Sequence, residues 1–201
     1  MLIAIDTETG GVKAGVNALL SVAAIKLDND FNPLPDGQLH IYIKPHPSRT
    51  VEAQAAKVNG YTPEKWEANG AIDLLRAMKR LHDFVPFAAQ ALAHNAGFDQ
   101  KFMDDAMELT KIKLGFSYRW HCSMATFAAV NEALKLGLTK CSLDSLAATS
   151  GHWGADYQRG DHSALDDALA CAAGYKWLIQ KIRLGAQPIK EGELQTHEAQ
   201  K

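Results

Sequence analysis

The chain has no basic surplus: its 21 Lys and Arg stand against 23 Asp and Glu over 201 residues, a formal net charge of -2. A protein that holds a polyanion along its whole length by charge is thereby excluded, and any such grip must be local. Cysteine is scarce. Cys122, Cys141 and Cys171 are far apart and lack a C-x-x-C spacing, which argues against a disulfide framework, a zinc site or a redox pair and fits reduced thiols. No apolar run approaches the roughly 20 residues that span a bilayer. The first residues lead directly to Asp6 without the basic n-region, long apolar core and small-residue cleavage site of a secretory signal. The expected location is the cytoplasm. Gly10, Gly11 and Gly15 are not followed by Gly-Lys-Ser/Thr, so a P-loop is excluded, and no internal repeat or low-complexity block is found. What is present is enough apolar material, 47% of the chain, for one core. We expect one domain over residues 1–183, followed by a tail over 184–201 whose polar, aperiodic sequence predicts disorder.

Within the domain the apolar pattern alternates between strand and helix. Leu2-Ile3-Ala4-Ile5 reads as a buried first strand, running into Asp-Thr-Glu-Thr and stopped by the Gly10-Gly11 turn. Residues 19–27 and 39–43 read as two further strands in an antiparallel meander, with Pro33, Pro35 and Gly37 in the loop between them. Leu74, Leu75, Met78, Leu81 and Val85 mark a helix closed by Pro86. A strand over 89–93, a helix over 98–109 and a strand over 118–122 follow. Residues 124–136, 143–150 and 163–182 are helical by pattern, with a glycine-rich loop over 151–160. The β-α-β order predicts an α/β fold with a mixed sheet.

Three clusters carry candidate chemistry. Asp6 and Glu8 are two apart on a strand, so their side chains project to the same face. At about 4 Å and an effective dielectric near 20, two like charges repel by roughly 4 kcal/mol. Such a pair calls for a cation or a shared proton, and Mg²⁺ and Mn²⁺ favour carboxylate oxygens. Asp99 stands at a helix start just past a strand end, where α/β sheets place their sites, preceded by Asn95 and by Gly97, which allows the chain to turn sharply. His162 and Asp167 are five apart, too far around a continuous helix to meet. Ser163 and Asp166 resemble a capping box, so the helix begins there and His162 belongs to the loop before it. Each cluster alone has an ordinary explanation: an acidic strand end, helix N-termini favoured by the macrodipole, a surface histidine. For Asp166 that explanation stands. His40, His46, His82, His121 and His152 have no ligand spacing, and the tryptophans at 66, 120, 153 and 177 include candidate stacking platforms, with burial favoured for Trp177.

Together, Asp6-Thr7-Glu8, His94-Asn95-Ala96-Gly97-Phe98-Asp99 and His162-Ser163-Ala164-Leu165-Asp166-Asp167 resemble the three exonuclease motifs of the DnaQ-like, DEDDh-type family, in order and with every functional position filled. The resemblance covers residues 2–178 and includes Val58-Asn59-Gly60-Tyr61-Thr62, similar to a family segment reading V-H-G-I-T. It implies a ribonuclease H-like fold, a five-stranded mixed sheet flanked by helices, and a 3′-5′ exonuclease. It implies that Asp6, Glu8, Asp99 and Asp167 hold two Mg²⁺ or Mn²⁺ ions and that His162 is the general base. Thr9 and Phe98, with Gly10, Asn59, His94 and Asn95, fall at or beside positions that receive the terminal nucleotide. Two positions depart from the family pattern. Ser21 stands where a glutamate is usual, and Cys122-Ser123 where Asp-Thr is usual; both bear on substrate preference rather than on the metal ligands.

The chemistry so implied is an in-line attack by water that releases 5′-mononucleotides. An ordinary histidine titrates near 6.5, so a base role predicts activity that rises through neutrality. Stacking of the last base on a side chain such as Phe98 suits single-stranded DNA ends better than duplex, in which a paired base must first be unstacked. RNA trimming, as in ribonuclease T or oligoribonuclease, is the alternative, and Asn59 in place of histidine points weakly that way. A binding module that has lost its metal site would lack ligands, and none is missing.

Overall fold

The computed structural model describes residues 1–154 and 162–185. Strands β1 (Leu2–Thr9), β2 (Leu19–Leu27), β3 (Pro33–Tyr42), β4 (Ala89–Ala93) and β5 (Phe116–Cys122) form one sheet in the order β3-β2-β1-β4-β5. The first three are an antiparallel meander, while β1–β4 and β4–β5 are parallel, so the sheet is mixed as expected. Helices α1 (Ala53–Asn59), α2 (Pro63–Ala68) and α3 (Leu74–Phe84) separate β3 from β4, and α4 (Ala96–Thr110) joins β4 to β5. Helices α5 (Ser123–Leu134), α6 (Leu143–Ser150) and α7 (Ala164–Gly185) follow.

Side-chain alternation along β1 divides the core into two layers. Ile3 and Ile5 pack with Leu74, Met78 and Leu81 of α3 and with Phe102 and Met103 of α4. Ala4 faces the other way, onto Ala164, Ala168, Cys171 and Tyr175 of α7. Apart from Tyr175, the α7 residues named on that face are small, which lets the helix pack closely on the sheet. At Gly174 a Cβ would run into the Leu146 side chain, so the glycine permits the close approach of α6 and α7.

Several boundaries differ from the expected ones, each for a physical reason. β1 itself stops at Thr9, before the Gly10-Gly11 turn, as expected, and the differences lie elsewhere. β3 begins at Pro33 and takes in Pro35 and Gly37, which the sequence had placed in a loop. It is an edge strand bonded only to β2, where a missing N–H is tolerated. The turn into α4 is made by Asn95, whose φ of 68° is left-handed, and not by Gly97; asparagine tolerates that conformation. α1 and α2 were not expected at all. α7 runs to Gly185, so the first two residues of the expected tail are helical. The rest of that tail, 186–201, and residues 155–161, which take in most of the glycine-rich loop, lie outside the described residues. No described helix is long and apolar enough to cross a membrane.

Candidate active site

One cavity of about 340 Å³ opens at the ends of β1 and β4, and the three sequence clusters meet in it. Asp6 and Glu8 come from β1, on the same face as Ala4 and so toward α7. Asp99 sits in the first turn of α4, at the head of the buried stripe formed by Phe102, Met103 and Ala106. The spacing 99, 102, 103, 106 keeps all four on one helix face, so packing of the apolar three carries the carboxylate inward. Asp167 stands between Ala164 and Cys171 on the buried face of α7, which brings it against the sheet. Ligand atoms of Glu8, His162 and Asp167 lie within 4.8 Å of one another.

Glu8, Asp99 and Asp167 are 8%, 3% and 5% exposed. Burying carboxylates together is costly unless they are neutralised. Burial pushes Asp99 up to about 7, against the pull of the Thr7 hydroxyl and with the push of the nearby Asp167 charge. Asp99 Oδ1 accepts a 2.8 Å hydrogen bond from Thr7 Oγ1. His162 is 38% exposed at its side chain, with Nδ1 3.8 Å from Asp167 Oδ2. It lies before Ala164, where α7 begins, and so outside the helix as expected. Its backbone N–H donates to the Val58 carbonyl at 3.2 Å, which ties the histidine segment to α1. A donor set of carboxylate oxygens with an imidazole fits a hard divalent cation and offers no thiolate for a soft one.

The remaining candidates divide. Thr9, Asn59, His94 and Phe98 line the cavity, whereas Gly10 and Asn95 do not. Gly10 instead bridges Ala18 and Glu52 through its backbone, and a Cβ there would meet Thr50 O at 2.5 Å. Asn95 is the left-handed residue that starts α4. The polar atoms of Asn59 serve the fold: Nδ2 donates to Thr9 O at 3.0 Å and Oδ1 accepts from Tyr61 N at 3.1 Å. Both ring nitrogens of His94 are engaged as well, Nε2 with Cys141 O at 3.0 Å and Nδ1 with Ser123 Oγ at 2.9 Å. Phe98 is half-buried and leans on Phe102, with ring centroids 5.0 Å apart. Of the tryptophans, Trp66 is core, donating to Leu20 O at 2.6 Å. Ser21 is the cross-strand partner of Glu8; a glutamate there would bring a further negative charge beside it. On the α1 side, sequence reasoning reached Asn59 and the Val58 segment but missed Glu52, Gln54 and Ala55, and it also missed Val12, all of which line the cavity.

A model of the exonuclease family matches residues 3–175. The chain belongs to this family. It is a metal-dependent 3′-5′ exonuclease, a hydrolase of phosphodiester bonds. Among curated relatives, ribonuclease T of Citrobacter koseri is 33% identical over 198 residues, covering 93% of this chain and 88% of the relative. Ribonuclease T of Escherichia coli K12 is 31% identical over 204 residues, covering 95% and 90%. Among solved structures, Escherichia coli exonuclease I in complex with single-stranded DNA superposes with a TM-score of 0.73 at 21% identity, over 90% of this chain. Exonuclease I of Methylocaldum szegediense superposes with a TM-score of 0.69 at 20% identity, over 89% of this chain. The exonuclease spans only 40% of each of those longer chains. At such identities the likeness establishes the fold, which is ribonuclease H-like.

Proposed function

We propose that this exonuclease removes nucleotides one at a time from the 3′ ends of single-stranded DNA in the cytoplasm, releasing 5′-mononucleotides, with its catalytic unit contained in residues 1–183. The observation that carries the reading is the convergence of Asp6, Glu8, Asp99, Asp167 and His162 on one cavity. In this reading the four carboxylates hold two Mg²⁺ or Mn²⁺ ions. Bound there, the ions supply an acidified water and charge stabilisation for the leaving 3′ oxygen. His162 takes the proton from the attacking water as general base. Once protonated, its ring faces the Asp167 carboxylate 3.8 Å away, an arrangement that stabilises the charge it has gained. Half-exposure lets the imidazole pass that proton to solvent.

The terminal nucleotide enters between the acidic wall and the wall formed by Val58 and Ala55, with Phe98 as the base-stacking surface. Thr9, Asn59 and His94 shape that cavity by fixing its backbone, while Gly10 contributes through its backbone bridge between Ala18 and Glu52 and Asn95 through the turn into α4. A cavity of this volume suits one nucleotide at a time, which supports frayed or single-stranded ends over intact duplex.

A second reading, trimming of RNA 3′ ends, is favoured by the relatives named ribonuclease T. The two differ by one hydroxyl on the sugar. Matched DNA and RNA oligomers, labelled at the 5′ end and incubated with Mg²⁺ or Mn²⁺, a chelator control and Asp6→Ala alongside, separate them. We expect a ladder shortening from the 3′ end, faster on single-stranded DNA than on RNA or blunt duplex. Faster loss of RNA would transfer the assignment to the second reading, and internal cleavage would reject both.

A further inference from the structure

The hydroxyl of Thr7 has no part in the packing of β1. Position 7 continues the odd-numbered face of the strand, after Ile3 and Ile5, which are both fully buried against α3 and α4. Thr7 is itself 7% exposed. A valine has the same branched shape and would serve a buried strand position of this kind equally well. What valine cannot do is donate a hydrogen bond, and the Thr7 hydroxyl donates one of 2.8 Å to Asp99 Oδ1, across 92 positions of the chain. Asp99 reaches the site from a different element, the first turn of α4, whose start is set by a left-handed asparagine rather than by the sheet. The bond therefore joins the strand that carries Asp6 and Glu8 to the helix that carries Asp99.

We propose that Thr7 is a positioning residue: its hydroxyl, bonded to Oδ1, holds the Asp99 carboxylate in the orientation in which it would meet a divalent cation beside Asp6 and Glu8. Within β1, residues 6, 7 and 8 then act on one site from both faces of the sheet, two carboxylates directly and one hydroxyl through Asp99. A carboxylate held by an outer hydrogen bond would meet the cation already oriented, and loss of such outer partners costs on the order of 10- to 100-fold in metal affinity. This rests on the reading of Asp99 as a metal ligand.

Calorimetric titration of the substrate-free protein with Mn²⁺ tests it, for the wild type, Thr7→Val, Thr7→Ser and Asp99→Asn, with thermal melting of each metal-free protein as the folding control. We expect Thr7→Val to bind Mn²⁺ about tenfold more weakly while melting like the wild type, and Thr7→Ser, which restores the donor, to return affinity to within about threefold. With a single-stranded oligomer, Thr7→Val should lower kcat and leave KM nearly unchanged at saturating Mn²⁺. Wild-type affinity in Thr7→Val beside weakened binding in Asp99→Asn would overturn the role of Thr7 alone. Wild-type affinity in Asp99→Asn would instead remove the ligand reading beneath it. Should Thr7→Val melt early, equal affinities of Thr7→Ser and Thr7→Ala would also overturn the proposal.

Discussion

The two walls of the cavity are built differently. The acidic wall comes from a central strand and from two helices buried against it, and Glu8, Asp99 and Asp167 all sit on core-packed faces. The opposite wall is α1, seven residues long, starting at Glu52 without a side-chain cap and with only Asn59 buried. A position fixed by core packing tolerates little displacement, whereas a short exposed helix held by a few hydrogen bonds adapts. On the proposed function, the contrast predicts that changes to the first wall act on the chemical step and changes to the second on binding of the nucleotide.

Breaking the acidic wall should have the largest effect. Asp167→Asn removes a carboxylate and the partner of His162 together, and kcat on a labelled oligomer should fall by about 10³-fold or more, since such sites supply several kcal/mol. His162→Gln should cost about 10²-fold and flatten the rise in rate with pH that a histidine base produces. A variant that kept that rise would show another group to be the base.

Changes to the α1 wall should be smaller and of another kind. Asn59→Ala deletes the bonds to Thr9 O and Tyr61 N, at about 1 kcal/mol each. We expect KM to rise several-fold with kcat within about twofold, as for loss of uniform binding. A fall in kcat matching that of Asp167→Asn would erase the distinction between the walls.

The smallest effect sharpens the comparison through stability. Asp99 is raised from 3.8 to about 7 in the folded chain, chiefly by burial. The folded state thus holds this proton more tightly than the unfolded state. Its contribution is fully present below about pH 4 and is lost as pH rises through about 7. With a chelator present, the melting temperature should carry a component that falls across that window. Asp99→Asn should remove the component, whereas Asn59→Ala should lower the curve without changing its slope.

The same contrast explains what could be read from residues alone. Asp6 and Glu8 were legible as a pair because strand alternation places residues two apart on one face whatever the strand's boundaries. Asp99 and Asp167 were legible because they lie on apolar stripes, at 99, 102, 103 and 106 in α4 and among the alanines of α7. α1 gave no such signal, since its one buried residue is an asparagine and hydrophobic periodicity has nothing to mark. α2 did carry one. Thr62 caps it by accepting from Lys65 N, and Pro63 begins it, a start signal that six residues with one buried tryptophan did not reinforce. Gly10 and Asn95 were placed among the substrate-binding residues by their neighbours in the motifs, yet neither lines the cavity: Gly10 serves a close backbone approach to Thr50 and Asn95 the turn into α4. A motif gives residue type and spacing; whether a backbone faces the cavity depends on partners such as Thr50 and Ala18, which are remote in sequence.

Crystals of the protein soaked in Mn²⁺ and measured at the manganese absorption edge test the central claim most directly. The account requires anomalous peaks within the cavity, ligated by carboxylate oxygens of Asp6, Glu8, Asp99 and Asp167 at about 2.0–2.2 Å, as expected of hard divalent ions. Soaked crystals with no peak there, or with manganese held elsewhere while those four side chains stay as they are, would contradict it.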